Sequence, residues 1–205
     1  MNVIEARNIS KSYKEKVIFQ NLSFVVNEGE IVGIIGDSGK GKTTLLNCLG
    51  QLDEIDAGEI FIYGNKINKQ QRKKYFKEVF GFLFQNFALI DNETVFKNLN
   101  FISKDRQLIT QYLEDFGLGK DCLNKYIFQL SGGEQQRISL IRMLLKCPKI
   151  IFADEPTASL DEENGLFVIK ALQGLRDKGV AIIIVTHDKH LLQYFDRIID
   201  LNHIE

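Results

Sequence analysis

Apolar positions along this chain recur with two rhythms, and the switches between them outline the molecule. Val3 to Ile9 and Leu22 to Val26 alternate or cluster apolar residues as strands do, and the polar stretch Ser10 to Lys16 between them reads as a turn. Ile31-Val32-Gly33-Ile34-Ile35 is apolar throughout, which predicts a strand buried on both faces of a parallel sheet. A glycine-rich turn follows, and Lys42 to Leu49 then takes helical spacing. Glu59 to Tyr63, closed by Gly64, is a further strand, and Val79 to Phe84 another that stops at Gln85. Between those two, Ile67 to Lys77 is polar and basic and reads as a solvated surface helix. From Asn86 to Cys147 the spacing is mainly helical, over Val95 to Phe101, Leu108 to Phe116 and Gln135 to Leu145. Strand character returns at Ile150 to Ala153, Ala181 to Val185 and Arg197 to Leu201. The helical stretch Glu163 to Lys178 lies between the first two of these, so the pattern is a strand–helix–strand crossover in a parallel sheet.

Composition narrows the class. A chain of 205 residues with 44% hydrophobic and 26% charged residues suits one globular domain with an inserted subdomain. Its net charge of −1 supplies no basic field for nucleic acid, and none is expected as a partner. Cys48, Cys122 and Cys147 are scattered and odd in number, which reads as reduced cytosolic thiols. The longest apolar run, Val180 to Val185, falls far short of the roughly 20 residues of a spanning helix. A cytoplasmic location is therefore expected, with any membrane role exercised through a partner.

The chemistry concentrates in three stretches. Gly36, Asp37, Ser38, Gly39, Lys40, Gly41, Lys42 and Thr43, followed by Thr44, match a phosphate-binding loop in its required setting, strand before and helix after. Glycines let backbone amides wrap the phosphates, Lys42 suits the β- and γ-phosphates, and the Thr43 hydroxyl suits Mg²⁺. Asp37 and Lys40 fill the variable positions of the loop. Ile150 to Ala153 ends in Asp154 and Glu155, two carboxylates that a strand's alternation turns to different work. Asp154 suits the metal and Glu155 a general base for the attacking water, a role worth about 10²- to 10⁴-fold. The third stretch, Leu130-Ser131-Gly132-Gly133-Glu134-Gln135-Gln136-Arg137, runs a Ser-Gly-Gly turn into a helix and offers a second anion site. One domain rarely needs two cradles for one nucleotide. The simplest resolution is a dimer in which each copy lends its second cradle to the other's nucleotide.

Together these stretches resemble, end to end, the nucleotide-binding domain of ATP-binding cassette (ABC) proteins. In that resemblance Gly36 to Thr43 is the P-loop, Gln85 the Q-loop glutamine, Leu130 to Arg137 the signature and Ile150 to Glu155 the Walker B strand. Ala158-Ser159-Leu160-Asp161 is the D-loop, His187 the switch histidine and Tyr13 the adenine-stacking aromatic. The resemblance implies an α/β P-loop NTPase core with a parallel sheet, an N-terminal antiparallel β-subdomain and an inserted helical subdomain. The whole of 1–205 would be one domain, with the core and β-subdomain at about 1–85 and 148–205 and the helical subdomain at about 86–147. It implies ATP and Mg²⁺ as cofactors, with Thr43, Gln85 and Asp154 at the metal. Glu155, His187 and Gln85 are the implied catalytic group. Ser131, Gly132, Gly133, Glu134 and Asp161 complete the nucleotide site of a head-to-tail, ATP-sandwiched homodimer.

The phrases Leu-Ser-Gly-Gly-Glu-Gln-Gln-Arg and Phe-Ala-Asp-Glu-Pro-Thr look most like the group of macrolide exporters, lipoprotein-release systems and bacteriocin or antimicrobial-peptide efflux systems. Ala158 departs from the glycine common there. The expected function is ATP-driven export of a peptide or hydrophobic compound through a separate transmembrane permease subunit, with the chain peripheral on the inner face of the membrane. The alternative is mechanical signalling to a membrane partner, as in cell-division-associated relatives. Phe87, Leu89, Ile90, Val95 and Phe96 look exposed, and the resemblance implies a groove for the permease's coupling helix near Gln85 to Phe96; core packing is the alternative for each. The chain is expected to carry no regulatory domain after its last strand, unlike sugar-importer ATPases.

Overall fold

The computed structural model describes residues 1–158 and 160–203. Among them, two sheets account for the strands. Strands β1 (Asn2–Tyr13), β2 (Lys16–Asn27), β4 (Ala57–Ile62) and β5 (Asn65–Lys66) form an antiparallel sheet in the order β2-β1-β4-β5. Strands β3 (Ile31–Ile35), β6 (Phe80–Leu83), β7 (Ile150–Asp154), β8 (Ala181–Val185) and β9 (Arg197–Asp200) form a parallel sheet in the order β6-β7-β8-β3-β9.

The continuous apolar runs of the parallel strands split between two cores, because successive side chains point to opposite faces. Ile151, Ala153, Ile182 and Ile184 join the core shared with the helical insertion. Ile150, Phe152, Ile183 and Val185 join the core shared with α1 (Lys42–Leu49) and the antiparallel sheet. A strand with cores on both sides has no face left for polar residues, so chemistry is pushed to its ends.

The insertion between β6 and β7 holds α3 (Val95–Asn100), α4 (Arg106–Asp115) and α5 (Gly132–Leu144) with two short 3₁₀ turns. The basic stretch before β6 is α2 (Lys69–Glu78), which buries no residue and starts on a reciprocal cap between Asn68 and Gln71. The crossover helix is α6 (Glu162–Arg176).

Two expectations are corrected. Ser10 to Tyr13 is not turn but the continuation of β1, and the turn shrinks to Lys14 and Glu15. The ladder is interrupted by register shifts between Ala6 and Ile9 and again around Lys11, and Asn8 and Asn21 take positive φ, which blurs any strict alternation. Val95 is not exposed: it is fully buried on α3 with Leu99, Ile109 and Leu113. Leu89 and Phe96 pack partly on the same core, Phe87 is half-buried, and Ile90 alone of the five is clearly exposed at 45%.

Candidate functional site

The carboxyl ends of β3, β7 and β8 converge, and each delivers its chemistry there. Leaving β3, the chain wraps through the glycine-rich loop into the N-terminus of α1. Gly41 sits at φ +88° as the residue before the helix, and a Cβ there would lie 2.2 Å from a methyl of Ile18. Only glycine permits that turn at that distance. Lys42 folds back across the loop, its Nζ donating to the carbonyls of Gly36 (2.8 Å) and Asp37 (3.1 Å). The Asp37 amide in turn donates to Asn202 Oδ1, and Lys40 is exposed. The helix N-terminus and its unpaired amides give an anion-binding end with a lysine poised over it.

At the end of β7, the Thr43 hydroxyl donates to Asp154 Oδ1 at 3.1 Å. Burial pushes the Asp154 carboxyl above its ordinary range, with the Glu155 charge adding to the rise and the Thr43 bond and Lys42 opposing it. A raised pKa in the folded state means the ionised carboxylate destabilises the fold once pH exceeds the unfolded value. That penalty is relieved as pH falls through the folded value. Asp154→Asn keeps the acceptor for Thr43 and removes the charge. In metal-free, nucleotide-free buffer at pH 7.5 it is expected to raise Tm, and less so as the pH is lowered; a lower Tm in a thermal melt contradicts this.

Glu155 follows with φ +47°, a left-handed conformation that costs a non-glycine residue about 1–2 kcal/mol. Its amide donates to the Val185 carbonyl at 2.9 Å, which anchors the twist. The twist turns the carboxylate to His187, whose Nδ1 lies 2.7 Å from Oε1. Glu155 is largely shielded, at 13% side-chain exposure, while the imidazole is 70% exposed. A base held by a second group that can itself donate to an oxyanion is the arrangement of a hydrolytic site.

A cleft of 520 Å³ unites most of the expected residues: Tyr13, Ser38, Gly39, Gly41, Lys42, Thr43, Thr44, Gln85, Glu155 and His187. Gln85 and Asp154 also share the adjoining cavity, with Phe84, Asn86 and Gln135. Thr43 Oγ1, Asp154 Oδ1 and the Gln85 amide oxygen are a set of hard oxygen donors, which fits Mg²⁺ held by few protein ligands and by phosphate. Among the described residues there is no group of three or more His, Cys, Asp or Glu that could hold a metal.

Ser131, Gly132 and Gly133 do not line this cleft. Ser131 caps α5 in a reciprocal box: its Oγ accepts from the Glu134 amide at 3.3 Å, and its own amide donates to Glu134 Oε2 at 2.8 Å. The Glu134 carboxylate, held below its usual range first of all by that backbone bond, is thus spent on shaping the turn. Asp161 caps α6, accepting from the Asn164 amide (2.9 Å) and side chain (2.7 Å). Its neighbour Ser159 lies outside the described residues.

Three side chains of α5 make contacts that had no signal in the sequence. Helix α5 grips the loop after Gln85, with Ser139 Oγ donating to the Phe87 carbonyl (3.0 Å) and Arg142 to those of Phe87 (3.0 Å) and Ala88 (2.7 Å). Both loop residues hold positive φ. Gln136 on the same helix donates to the Pro156 carbonyl at 2.8 Å. One helix therefore joins the signature turn, the loop of Gln85 and the segment after Glu155.

The model of the family described as ABC transporter matches residues 19–158. The chain belongs to the ABC transporter family. It is the ATP-binding, ATP-hydrolysing component of that family. It is 41% identical to the ABC transporter ATP-binding protein MJ1508 of Methanocaldococcus jannaschii, over 97% of this chain and 95% of that protein. It is 37% identical to the macrolide export ATP-binding/permease protein MacB of Psychrobacter arcticus, over 90% of this chain but only 29% of that protein. Among solved structures, the dimeric ABC transporter cassette MJ0796 superposes with a TM-score of 0.87 at 33% identity, covering 96% of this chain and 93% of the other. The same cassette is also known as a dimer in a post-hydrolysis state bound to ADP and Pi, at a TM-score of 0.86.

The α/β ABC cassette fold expected from the sequence is the fold observed. Among the described residues no helix is long and apolar enough to cross a membrane.

Proposed function

We propose that this ABC ATPase works as a head-to-tail homodimer that closes on ATP and powers export of a peptide or hydrophobic compound through a separate transmembrane permease. The observation that carries the reading is the division of the site. The P-loop, Glu155, His187 and Gln85 line one cleft, while the Ser131-Gly132-Gly133 turn opens elsewhere. A turn whose amides cap nothing in its own protomer's cleft is available to the γ-phosphate in the partner's. The dimeric state of the related MJ0796 cassette supports this.

In the closed cleft Lys42 leaves the Gly36 and Asp37 carbonyls for the β- and γ-phosphates, and Tyr13 stacks on the adenine. Glu155 accepts the proton of the attacking water, and His187 holds Glu155 in line and donates toward the γ-phosphate. Thr43, Asp154 and Gln85 would hold Mg²⁺, which when bound neutralises charge on the phosphates. Asp161, Glu134 and Gly133 keep the partner-facing turns in shape. Loss of phosphate removes the contact between protomers, a ligand-driven population shift.

Because Ser139 and Arg142 tie the loop of Gln85 to the signature helix, a shift at the nucleotide reaches Phe87 and Ile90 beside it, where the permease docks. The MacB relative, an export protein, supports the direction of transport. The test is reconstitution with the membrane subunit in vesicles. ATP-dependent movement of a peptide or macrolide, absent with Glu155→Gln, is expected. Robust subunit-stimulated hydrolysis without movement of any such compound would replace export with mechanical signalling.

A further inference from the structure

Lys11 is out of place on β1. Its side chain is only 8% exposed, and a buried ammonium is costly unless paired. Here it is paired: Nζ donates to Asp53 Oδ1 (3.1 Å) and to the Glu54 carbonyl (2.6 Å), with Asp56 Oδ1 at 3.9 Å. The other oxygen of Asp53 accepts from the Tyr13 hydroxyl. The same ammonium lies over the Tyr13 ring, 4.8 Å from its centroid. Tyr13 is therefore fixed twice, its tip by a carboxylate and one face by a cation.

Asp53 itself is anchored. Its amide donates to the Asn47 carbonyl of α1 at 3.2 Å, and its Oδ1 accepts from the Glu54 amide at 2.7 Å. The helix whose N-terminus carries Lys42, Thr43 and Thr44 thus sets, at its other end, the carboxylate that holds Tyr13. With Lys11 over one face, the opposite face is the one a flat base can cover, and Tyr13 lines the cleft with Lys16, Ile18 and Ser38.

We propose that Asp53 and Lys11 are positioning residues that hold the Tyr13 ring as a one-faced shelf, and that this shelf makes the cleft prefer a triphosphate bearing a flat base over a bare triphosphate. A ring already held loses no rotamer freedom when the base arrives, so its stacking is realised in full. The inference rests on the proposed stacking of adenine on Tyr13.

The test is calorimetric titration of ATP and, separately, of inorganic triphosphate into wild type, Tyr13→Ala, Tyr13→Phe, Asp53→Asn and the Tyr13→Phe/Asp53→Asn pair. Tyr13→Phe keeps the ring and deletes only the tether to Asp53, so it does not disturb the buried lysine. It is expected to weaken ATP binding about three- to tenfold and to leave triphosphate binding within about twofold. The double variant also removes the carboxylate charge that pairs Lys11, so it should be at least as weak for ATP as Tyr13→Phe alone, with triphosphate binding again little changed. Tyr13→Ala should weaken ATP by at least about fivefold, the low end for loss of one base–aromatic stack. Wild-type ATP affinity in Tyr13→Phe with a weakened Tyr13→Ala overturns the shelf and leaves the stacking standing. Wild-type affinity in Tyr13→Ala overturns the stacking and the shelf with it. Equal weakening of ATP and triphosphate in Tyr13→Phe makes the cluster merely structural and also overturns the proposal.

Discussion

Glu155→Gln is expected to lower kcat for ATP hydrolysis by about 10²- to 10⁴-fold while leaving the affinity for ATP within a few-fold of wild type. The amide is isosteric: its oxygen can still accept from the His187 amide, while its NH2 can donate to Nδ1 in the place of the 2.7 Å contact. The backbone strain at φ +47° and the anchor to Val185 do not depend on the charge. What is lost is the capacity to take a proton from water. Single-turnover hydrolysis beside equilibrium nucleotide binding separates the two effects. A kcat within tenfold of wild type would move the base to another residue, and a matching loss of affinity would make Glu155 a binding group.

Lys42→Ala has the second largest expected effect, on binding and not on the chemical step alone. In the free protein Nζ bridges the Gly36 and Asp37 carbonyls, so the loop is already closed around the place a phosphate would take. Removing the side chain deletes the ammonium that bridges the loop and leaves two carbonyls facing incoming negative charge. Truncating one partner of a desolvated charge pair costs about 2–5 kcal/mol, so ATP should bind at least roughly 30-fold more weakly. Fluorescence titration with a labelled ATP checks this. Unchanged affinity would mean that the glycine-rich loop is not the phosphate cradle.

The parts of the molecule legible in sequence are those where one residue type answers one physical demand. The runs at Ile31 to Ile35, Ile150 to Ala153 and Ala181 to Val185 read as strands buried on both faces because two cores claim their alternate side chains. The glycines before Lys42 read as a loop because only they permit its backbone. What escaped depends on pairing across long separations. Lys11 looks like a turn residue until Asp53, 42 positions on, is seen to neutralise it. Val95 looks exposed until α4 is laid beside α3. The grip of Ser139 and Arg142 on Phe87 and Ala88 has no local signature, since a serine and an arginine on a helix more often face water. Residue types named the chemistry of the cleft, but its geometry came from contacts that no window of sequence contains.

The central claim is that each nucleotide is shared between the P-loop of one protomer and the signature turn of the other. Its most direct test is the mass in solution of Glu155→Gln with saturating Mg-ATP, beside Glu155→Gln/Ser131→Arg, by light scattering. The single variant should run at twice the 23.5 kDa of one chain. The double variant, with an arginine projecting from the partner-facing turn, should remain at 23.5 kDa while still binding ATP. A monomer in the first case, or an unaltered dimer in the second, would contradict the shared site.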